Sequence, residues 1–275
     1  MAAQKVAYLV FDIESIADGE LVSTIRFPGE QLPADEAIRR YREMLLEQTG
    51  SDFVPYTFQI PTSIVVGKVT ADFRLVDLVA LDEPDYRPHV MTKLFWKGWE
   101  AYRHPTLVSF NGRGFDVPLL ELAAFRYGLA ISQWLATTGP NYAQPRYRYN
   151  TESHLDLQDV MTNFGASRFN GGLNLAASML GKPGKMNVKG DMVQDLYDAG
   201  QLGTINDYCR CDVLDTYFVF LRVAVLRGKL TLDDEQSIIQ ETRQWLADRC
   251  EQTPAFTTYL EHWGDWQNPW LGAST

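Results

Sequence analysis

The chain has 275 residues, is 45% hydrophobic and carries a formal net charge of −10. This length and composition suit one α/β domain with insertions and a buried core. The acidic balance disfavours tight, non-specific binding of duplex nucleic acid by a broad basic surface. It does not exclude a phosphodiester substrate, because carboxylates that bind metal contribute to the same sum. No run of 18 apolar residues and no signal-peptide cleavage site occurs, which predicts a cytoplasmic protein.

Cysteine and histidine usage argues against zinc and against a disulfide framework. The three cysteines are Cys209, Cys211 and Cys250, and neither they nor the four histidines show metal-ligand spacing. Reduced thiols are therefore expected.

The first predicted element is a strand that ends in two acids. Residues 8–14 (Y-L-V-F-D-I-E) are strand formers that carry Asp12 and Glu14. Side chains two apart in a strand share a face and lie about 6.6 Å apart, from ~3.3 Å of rise per residue. Both carboxylates can therefore approach one cation, while their apolar neighbours form the opposite, buried face. The alternative at this point is a strand end that enters solvent.

The elements after the first strand predict an antiparallel start followed by crossovers. About residues 18–60 form an insertion with one amphipathic helix. Two β-branched runs joined by a two-residue turn predict a hairpin, and a helix then leads to a short strand. This alternation predicts an α/β sheet. The predicted bounds are 34–48 for the insertion helix, 64–70 and 73–81 for the hairpin, 92–103 for the next helix and 106–110 for the strand after it.

A second acidic motif, N-G-R-G-F-D at residues 111–116, follows this strand and precedes a predicted helix over 117–127. Its two glycines allow unusual backbone angles and let a ligand approach the main chain closely. Asp116 therefore lies at a helix start, where an aspartate also serves as an N-cap. Site and capping roles both stay open.

The middle of the chain predicts a loop and short elements of secondary structure. Residues 133–153 resemble a loop, and residues 155–161 predict a short strand that turns into a helix. Asp156 in this segment is a candidate for supporting the site. A further short helix is predicted over 174–180.

Residues 181–190 (G-K-P-G-K-M-N-V-K-G) are the one concentrated basic stretch of the sequence. In an acidic protein that holds a polyanion, Lys182, Lys185 and Lys189 are predicted to contact the substrate strand. A merely solvated loop is the common alternative.

The last large predicted helix covers residues 204–227, and its second half is apolar nearly all round. Tyr208 and Asp212 are four residues apart and so share one helical face. A phenol and a carboxylate are thus presented side by side. The alternative is a tyrosine that anchors the helix and an aspartate that faces water.

Together, D-x-E on the first strand, N-x-x-x-F-D before a helix and Y-x-x-x-D on a late helix resemble the DEDDy 3′-5′ exonucleases. The resemblance is to the proofreading exonuclease domain of family B DNA polymerases, in a predicted stand-alone form, over about residues 6–227. It implies a ribonuclease H-like α/β fold with a mixed five-stranded sheet flanked by helices. The exonuclease domain would cover residues 1–250, and residues 251–275 would form a Trp-rich C-terminal tail.

The resemblance also implies the site and its cofactors. Two divalent cations, Mg²⁺ or Mn²⁺, would be bound through oxygen ligands. Asp12 would bridge both, Glu14 and Asp212 would complete the first, and Asp116 would hold the second. Tyr208 matches the tyrosine that positions the attacking water. The predicted substrate contacts in the second motif are Asn111, Arg113 and Phe115.

The implied activity is hydrolysis of phosphodiester bonds from the 3′ end of single-stranded nucleic acid, with DNA favoured over RNA. The alternatives are a non-catalytic nucleic-acid-binding or scaffold module that keeps the fold, and a phosphoesterase acting on RNA or small nucleotides. No polymerase motif follows residue 227. The tail tryptophans Trp263, Trp266 and Trp270 predict either docking on the body or a segment that binds a protein partner.

Overall fold

The computed structural model describes residues 5–184 and 192–271. Within this part of the chain, helices flank one mixed five-stranded sheet, which confirms the predicted α/β fold class. The strands are β1 (Val6–Ala17), β2 (Gln59–Thr70), β3 (Leu75–Ala80), β4 (Thr106–Ser109) and β5 (His154–Asp156). The helices are α1 (Gly19–Arg26), α2 (Ala34–Thr49), α3 (Pro88–Ala101), α4 (Asp116–Arg126), α5 (Leu157–Met161), α6 (Gly172–Ser178), α7 (Val193–Asp198), α8 (Leu202–Leu226), α9 (Leu232–Ala247) and α10 (Pro254–Glu261). Two short 3-10 helices cover Tyr56–Phe58 and Asn141–Ala143.

β1 lies at the centre of the sheet, in the strand order β3-β2-β1-β4-β5. It pairs antiparallel with β2, which pairs antiparallel with β3, as the predicted hairpin requires. β4 is parallel to β1, and β5 is parallel to β4, so the carboxyl ends of these three strands lie at one end of the sheet. β4 pairs only with residues 8–10 of β1, whereas β2 follows β1 as far as Ala17. Asp12 and Glu14 therefore lie on the half of β1 that projects past β4.

Both faces of β1 are buried, although the sequence alternation predicted only one buried face. On one face, the ring of Phe11 packs against Phe95 of α3, with centroids 5.1 Å apart. On the other face, Tyr8 packs against Phe220 of α8 at 4.9 Å. α8 is buried over most of its surface, as its apolar sequence predicted. The acid-bearing face of β1 is therefore covered along much of its length.

The segment between β1 and β2 contains two α-helices where the sequence predicted one. α1 begins after Asp18, whose carboxylate accepts a hydrogen bond from the N–H of Leu21 at 3.1 Å. α2 corresponds to the predicted helix. The sequence missed α1 because eight residues give barely two turns of periodicity. The segment buries an apolar cluster of its own, formed by Ala17, Val22, Phe27, Ala37, Tyr41 and Val54.

α7 and α10 are also helices that the sequence did not predict, and each has eight residues or fewer. No helix in the described part of the chain has both the length and the apolarity that a bilayer crossing requires.

The Trp-rich tail folds back onto the body of the protein. The ring of Trp263 lies edge-on to Phe218 of α8, with centroids 5.1 Å apart. The guanidinium of Arg222 lies 4.2 Å from the ring centroid of Trp266. Trp270, by contrast, is 72% exposed. Two of the three tryptophans therefore dock on the body, which favours docking over the alternative of a partner-binding segment.

Trp263→Ala should lower the free energy of unfolding by about 2–3 kcal/mol. The loss should be below the ~3–5 kcal/mol typical of fully buried aromatic rings, because Trp263 is only partly buried. Trp270→Ala is the matched control and should change stability by less than about 0.5 kcal/mol. Urea unfolding followed by far-UV circular dichroism measures both. A Trp263 variant as stable as the wild type would contradict the docking of the tail.

Candidate active site

An open cleft of about 470 Å³ lies where β1, the segment after β4 and the first half of α8 converge. We call it the acid cleft. It brings together seven residues that the sequence singled out: Asp12, Glu14, Asn111, Phe115, Asp116, Tyr208 and Asp212.

Three carboxylates form the centre of the acid cleft. Asp12 and Glu14 project from one face of β1, as their spacing predicted, and Asp212 faces them from α8. One oxygen from each carboxylate lies within 4.8 Å of the other two. Glu14 is buried and Asp12 half-buried, which excludes a strand end that enters solvent. An all-oxygen set of this kind suits Mg²⁺ or Mn²⁺.

The negative charge of these three carboxylates also favours binding of a divalent cation. Burial raises the pKa of Asp12 well above its ordinary value. The charges of the other acids raise that pKa further, first Asp116, then Asp212 and Glu14. The thiol of Cys209 acts in the opposite direction, with its Sγ 3.8 Å from Oδ2 of Asp12. Like charges held this close repel one another, and a bound divalent cation would relieve that repulsion.

Asp116 lines the acid cleft but does not belong to the 4.8 Å set. It is buried as the first residue of α4, and the N-cap position is Phe115. The capping alternative is therefore wrong. Burial raises the pKa of Asp116 to about 7, and the charge of Asp156 acts in the same direction. Backbone N–H groups of Asp116 itself and of Ile13 partly oppose this shift.

The loop between β4 and α4 is held by Asp156, as expected of a residue that supports this part of the cleft. Its two carboxylate oxygens accept hydrogen bonds from the backbone N–H groups of Asn111, at 3.0 Å, and Arg113, at 2.9 Å. Asn111 adopts a left-handed backbone conformation, with φ of 63°. Its side-chain oxygen accepts a hydrogen bond from Nε2 of Gln158 at 3.1 Å. The side-chain amide of Asn111 is therefore held in one orientation by Gln158.

Gly112 in this loop cannot carry a side chain without disturbing the site. A Cβ at this position would overlap the side chain of Ser109 and lie 3.2 Å from Oδ2 of Asp116. The glycine is thus required by the close approach of Ser109 and Asp116, whereas the motif predicted close approach of a ligand and an unusual backbone angle. Neither Gly112 nor Gly114 has a positive φ.

Tyr208 is buried beside Asp212, one turn away on α8. Burial is the main cause that raises the pKa of its hydroxyl, followed by the charges of Asp212 and Glu14. The hydroxyl also hydrogen-bonds to Asp212. Tyr208 therefore remains a protonated phenol at neutral pH, which makes it a hydrogen-bond donor and not a base.

Two predicted substrate contacts lie elsewhere. The Nε atom of Arg113 forms an ion pair with Asp159 at 2.8 Å, and its Nη2 donates to the carbonyl oxygen of His154 at 3.0 Å. Arg113 therefore holds the loop in place and does not line the acid cleft.

Lys182 is 4% exposed, with its Nζ donating to the carbonyl oxygen of Gly264 at 3.1 Å and lying 3.8 Å from the ring centroid of Trp263. It is a contact between the loop and the tail, and the prediction that it binds the strand is not retained. Lys185 and Lys189 lie outside the described residues.

Asp215 lines the acid cleft, although the sequence analysis did not single it out. It is fully buried, and its Oδ1 accepts a hydrogen bond from the hydroxyl of Tyr259 at 2.7 Å. Burial raises its pKa to about 8, and the charge of Asp212 acts in the same direction. A carboxyl three residues after Asp212 was the available signal, but its apolar surroundings indicated only a packed helix.

The mixed sheet and the acid cleft agree with the class of nuclease that the motifs resemble. A more specific assignment comes from comparison with protein families. The chain belongs to the family of predicted 3′-5′ exonucleases related to the exonuclease domain of PolB, which it matches over residues 51–263. This confirms the resemblance found in the motifs. Asp12 and Glu14 precede the matched range, and the fold brings them to the matched acids. A comparison with curated proteins gave no match.

Asp116→Asn should stabilise the protein when metal is removed with EDTA. The ordinary aspartate pKa of 3.8 rises to about 7 on folding. Ionisation therefore costs the wild type stability progressively as pH rises from about 4 to about 7. The melting temperature of the variant should exceed that of the wild type, by less at pH 5 than at pH 8. Glu251→Gln, at an exposed acid outside the cleft, should show no such trend. A difference that does not vary with pH would contradict the raised pKa.

Proposed function

We propose that the protein is a metal-dependent 3′-5′ exonuclease that hydrolyses phosphodiester bonds from the 3′ end of single-stranded nucleic acid, with DNA as its favoured substrate. One observation carries this proposal. Oxygens of Asp12, Glu14 and Asp212 lie within 4.8 Å of one another, in an open cleft of a chain that belongs to an exonuclease-related family.

The acids would bind two divalent cations, Mg²⁺ or Mn²⁺, whose positive charge would stabilise the attacking and leaving oxygens of a phosphodiester. The charges of all three other acids raise the pKa of Asp12, which is expected of a carboxylate shared between two cation sites. Glu14 and Asp212 would complete one site. Asp116, which lies outside the 4.8 Å set, would contribute to the other.

Tyr208 would orient the attacking water. A phenol whose pKa is raised by burial and by neighbouring carboxylates does not take up a proton from water at neutral pH. Its hydroxyl donates its proton to Asp212, and its oxygen can still accept a hydrogen bond from a water molecule at a fixed position, because the ring is buried in α8. That is sufficient to align a water molecule with the phosphorus atom.

Access to the acids supports a single-stranded substrate. Asp116 is buried and Asp12 half-buried, so a phosphodiester must enter the cleft to reach them. A flexible strand end can do this, whereas a paired strand must first unpair. Asn111 and Phe115 line the path, and an aromatic ring stacks on a base with ~1–3 kcal/mol of stabilisation. The family relation to PolB favours DNA.

Asp12→Ala or Asp212→Ala should lower the rate of hydrolysis at least about a hundredfold, because each removes one of the three carboxylates that would bind the cations. The melting temperature without metal should not fall, since one repulsive charge is lost. The assay uses 3′- and 5′-end-labelled strands of DNA and RNA, single and paired, with Mg²⁺ or Mn²⁺. Removal of one nucleotide at a time from the 3′ end is the expected product pattern.

Glu251→Gln serves as the control and should cleave as the wild type does. Wild-type hydrolysis by Asp12→Ala would mean that the site is wrongly assigned. Metal-independent binding of strands without cleavage would instead support the alternative of a non-catalytic nucleic-acid-binding module. Preferential cleavage of RNA or of mononucleotide esters would support the other alternative.

Tyr208→Phe should slow hydrolysis at saturating substrate about 10- to 100-fold, with Mn²⁺ affinity little changed. The substitution keeps the buried ring and removes the hydroxyl that would orient water, a contribution typical of a positioned hydrogen-bonding group. Single-turnover rates and Mn²⁺ titration calorimetry measure the two effects separately. Equal losses of Mn²⁺ affinity and rate would show that Tyr208 supports the acids structurally.

A further inference from the structure

A second cavity of about 520 Å³ adjoins the acid cleft. The two share four lining residues, Ile13, Glu14, Asn111 and Phe115. The far side of the second cavity is formed by Arg42 and residues 52–54, which belong to the segment between β1 and β2. We call this space the insertion cavity. Its far side contains none of the motif residues that led to the proposed function.

An aromatic pair lines the insertion cavity. Phe53 is 59% exposed, and its ring centroid lies 5.8 Å from that of Phe115. Phe53 takes no part in the apolar cluster of α1 and α2. Packing in that cluster therefore does not stabilise its ring. Exposed apolar area costs free energy in water, at about 25 cal/mol per Å². Aromatic side chains that face an open groove form a surface on which nucleobases stack.

A positively charged side chain, that of Arg42, also lines the insertion cavity. α2 carries three arginines, of which Arg39 and Arg40 form ion pairs with glutamates at 2.5 to 2.6 Å. The third, Arg42, lines the cavity, and its buried Nε has no hydrogen-bond partner within the described part of the chain. Asp52 also lines the cavity, but no ion pair joins it to Arg42 among these residues. Because Arg42 forms no ion pair within the described residues, the terminal nitrogens of its guanidinium can pair with phosphate oxygens.

We propose that the insertion cavity binds the second nucleotide from the 3′ end of the strand. The 3′-terminal nucleotide is the one whose phosphodiester bond lies at the acids. The base of the second nucleotide stacks on Phe53 and Phe115, and its phosphate pairs with Arg42. This subsite rests on the proposed function for its substrate class. It adds that the inserted segment, and not only the three acidic motifs, takes part in binding the strand.

Affinity as a function of strand length tests this subsite. Calcium replaces magnesium so that cleavage is suppressed, and titration calorimetry measures binding of thymidine monophosphate and of oligothymidylates of two to four nucleotides. In the wild type, affinity should rise steeply when the neighbouring nucleotide is added. Phe53→Ala should reduce the affinity for the tetranucleotide about 5- to 150-fold, as expected for one stacking contact. Arg42→Ala should lower the log–log slope of affinity against salt by about 0.7, the value for one phosphate on a single strand.

Matched variants isolate the chemistry of each side chain. Arg39→Ala removes a paired arginine from the same helix, and Phe125→Ala removes an aromatic ring that is 84% exposed on α4. Both should bind every strand as the wild type does. Phe53→Leu keeps apolar bulk without the π face and should lose nearly as much affinity as Phe53→Ala. Arg42→Lys keeps the charge without the planar fork and should restore the salt slope.

The outcomes separate this subsite from the proposed function. Wild-type binding by Phe53→Ala and Arg42→Ala would overturn the subsite even if the protein hydrolyses strands. Loss of affinity in these variants would support the subsite even if no condition yields hydrolysis, and the proposed activity alone would then fail. Equal losses for the mononucleotide and the tetranucleotide would overturn the assignment to a neighbouring nucleotide.

Discussion

The packing of α8 against β1 is the constraint on which the rest of the site depends. Tyr8 meets Phe220 at one end of this contact, and Cys209 lies against Asp12 at the other, with Sγ 3.4 Å from the main-chain oxygen. The helix therefore runs antiparallel to the strand. Because α8 is buried over most of its surface, it can neither rotate nor slide without opening the core. This fixed register is what faces Tyr208 and Asp212 toward the acids of β1.

The same packing imposes an electrostatic cost. Asp12, Asp116 and Asp215 each have a pKa raised chiefly by burial, to about 7 for Asp116 and about 8 for Asp215. A fold selected only for stability would place apolar side chains here, since each pKa unit represents ~1.4 kcal/mol of unfavourable interaction with the charged form. The core that surrounds α8 and the sheet offsets this cost. Cation binding would then recover part of it, which links metal affinity to folding stability.

Local patterns in the sequence predicted the elements that carry the site, and long-range contacts decided the rest. The alternation around Asp12 and Glu14, the hairpin and the apolar second half of α8 each depend on residues close in the chain. The role of Asp156 was harder to see, because its carboxylate binds N–H groups more than 40 residues earlier. Lys182 was misjudged for the same reason, since the indole of Trp263 that covers it is 81 residues away. Glycine and lysine content alone cannot indicate such a partner.

Charge distribution explains how a protein of net charge −10 could hold a polyanion. Arg113 is committed to Asp159 and Lys182 is buried beneath the tail, so neither supplies an accessible positive charge. Within residues 5–184 and 192–271, the features that face the proposed strand path include the acids that would bind cations, the rings of Phe53 and Phe115, and the guanidinium of Arg42. These contacts are confined to the two cavities, whereas a broad basic surface attracts a polyanion along its whole length over a Debye length of about 8–10 Å. Recognition would then be confined to the last nucleotides of a strand. Such local binding favours an enzyme that shortens a strand stepwise, because few contacts must break each time the strand advances by one nucleotide.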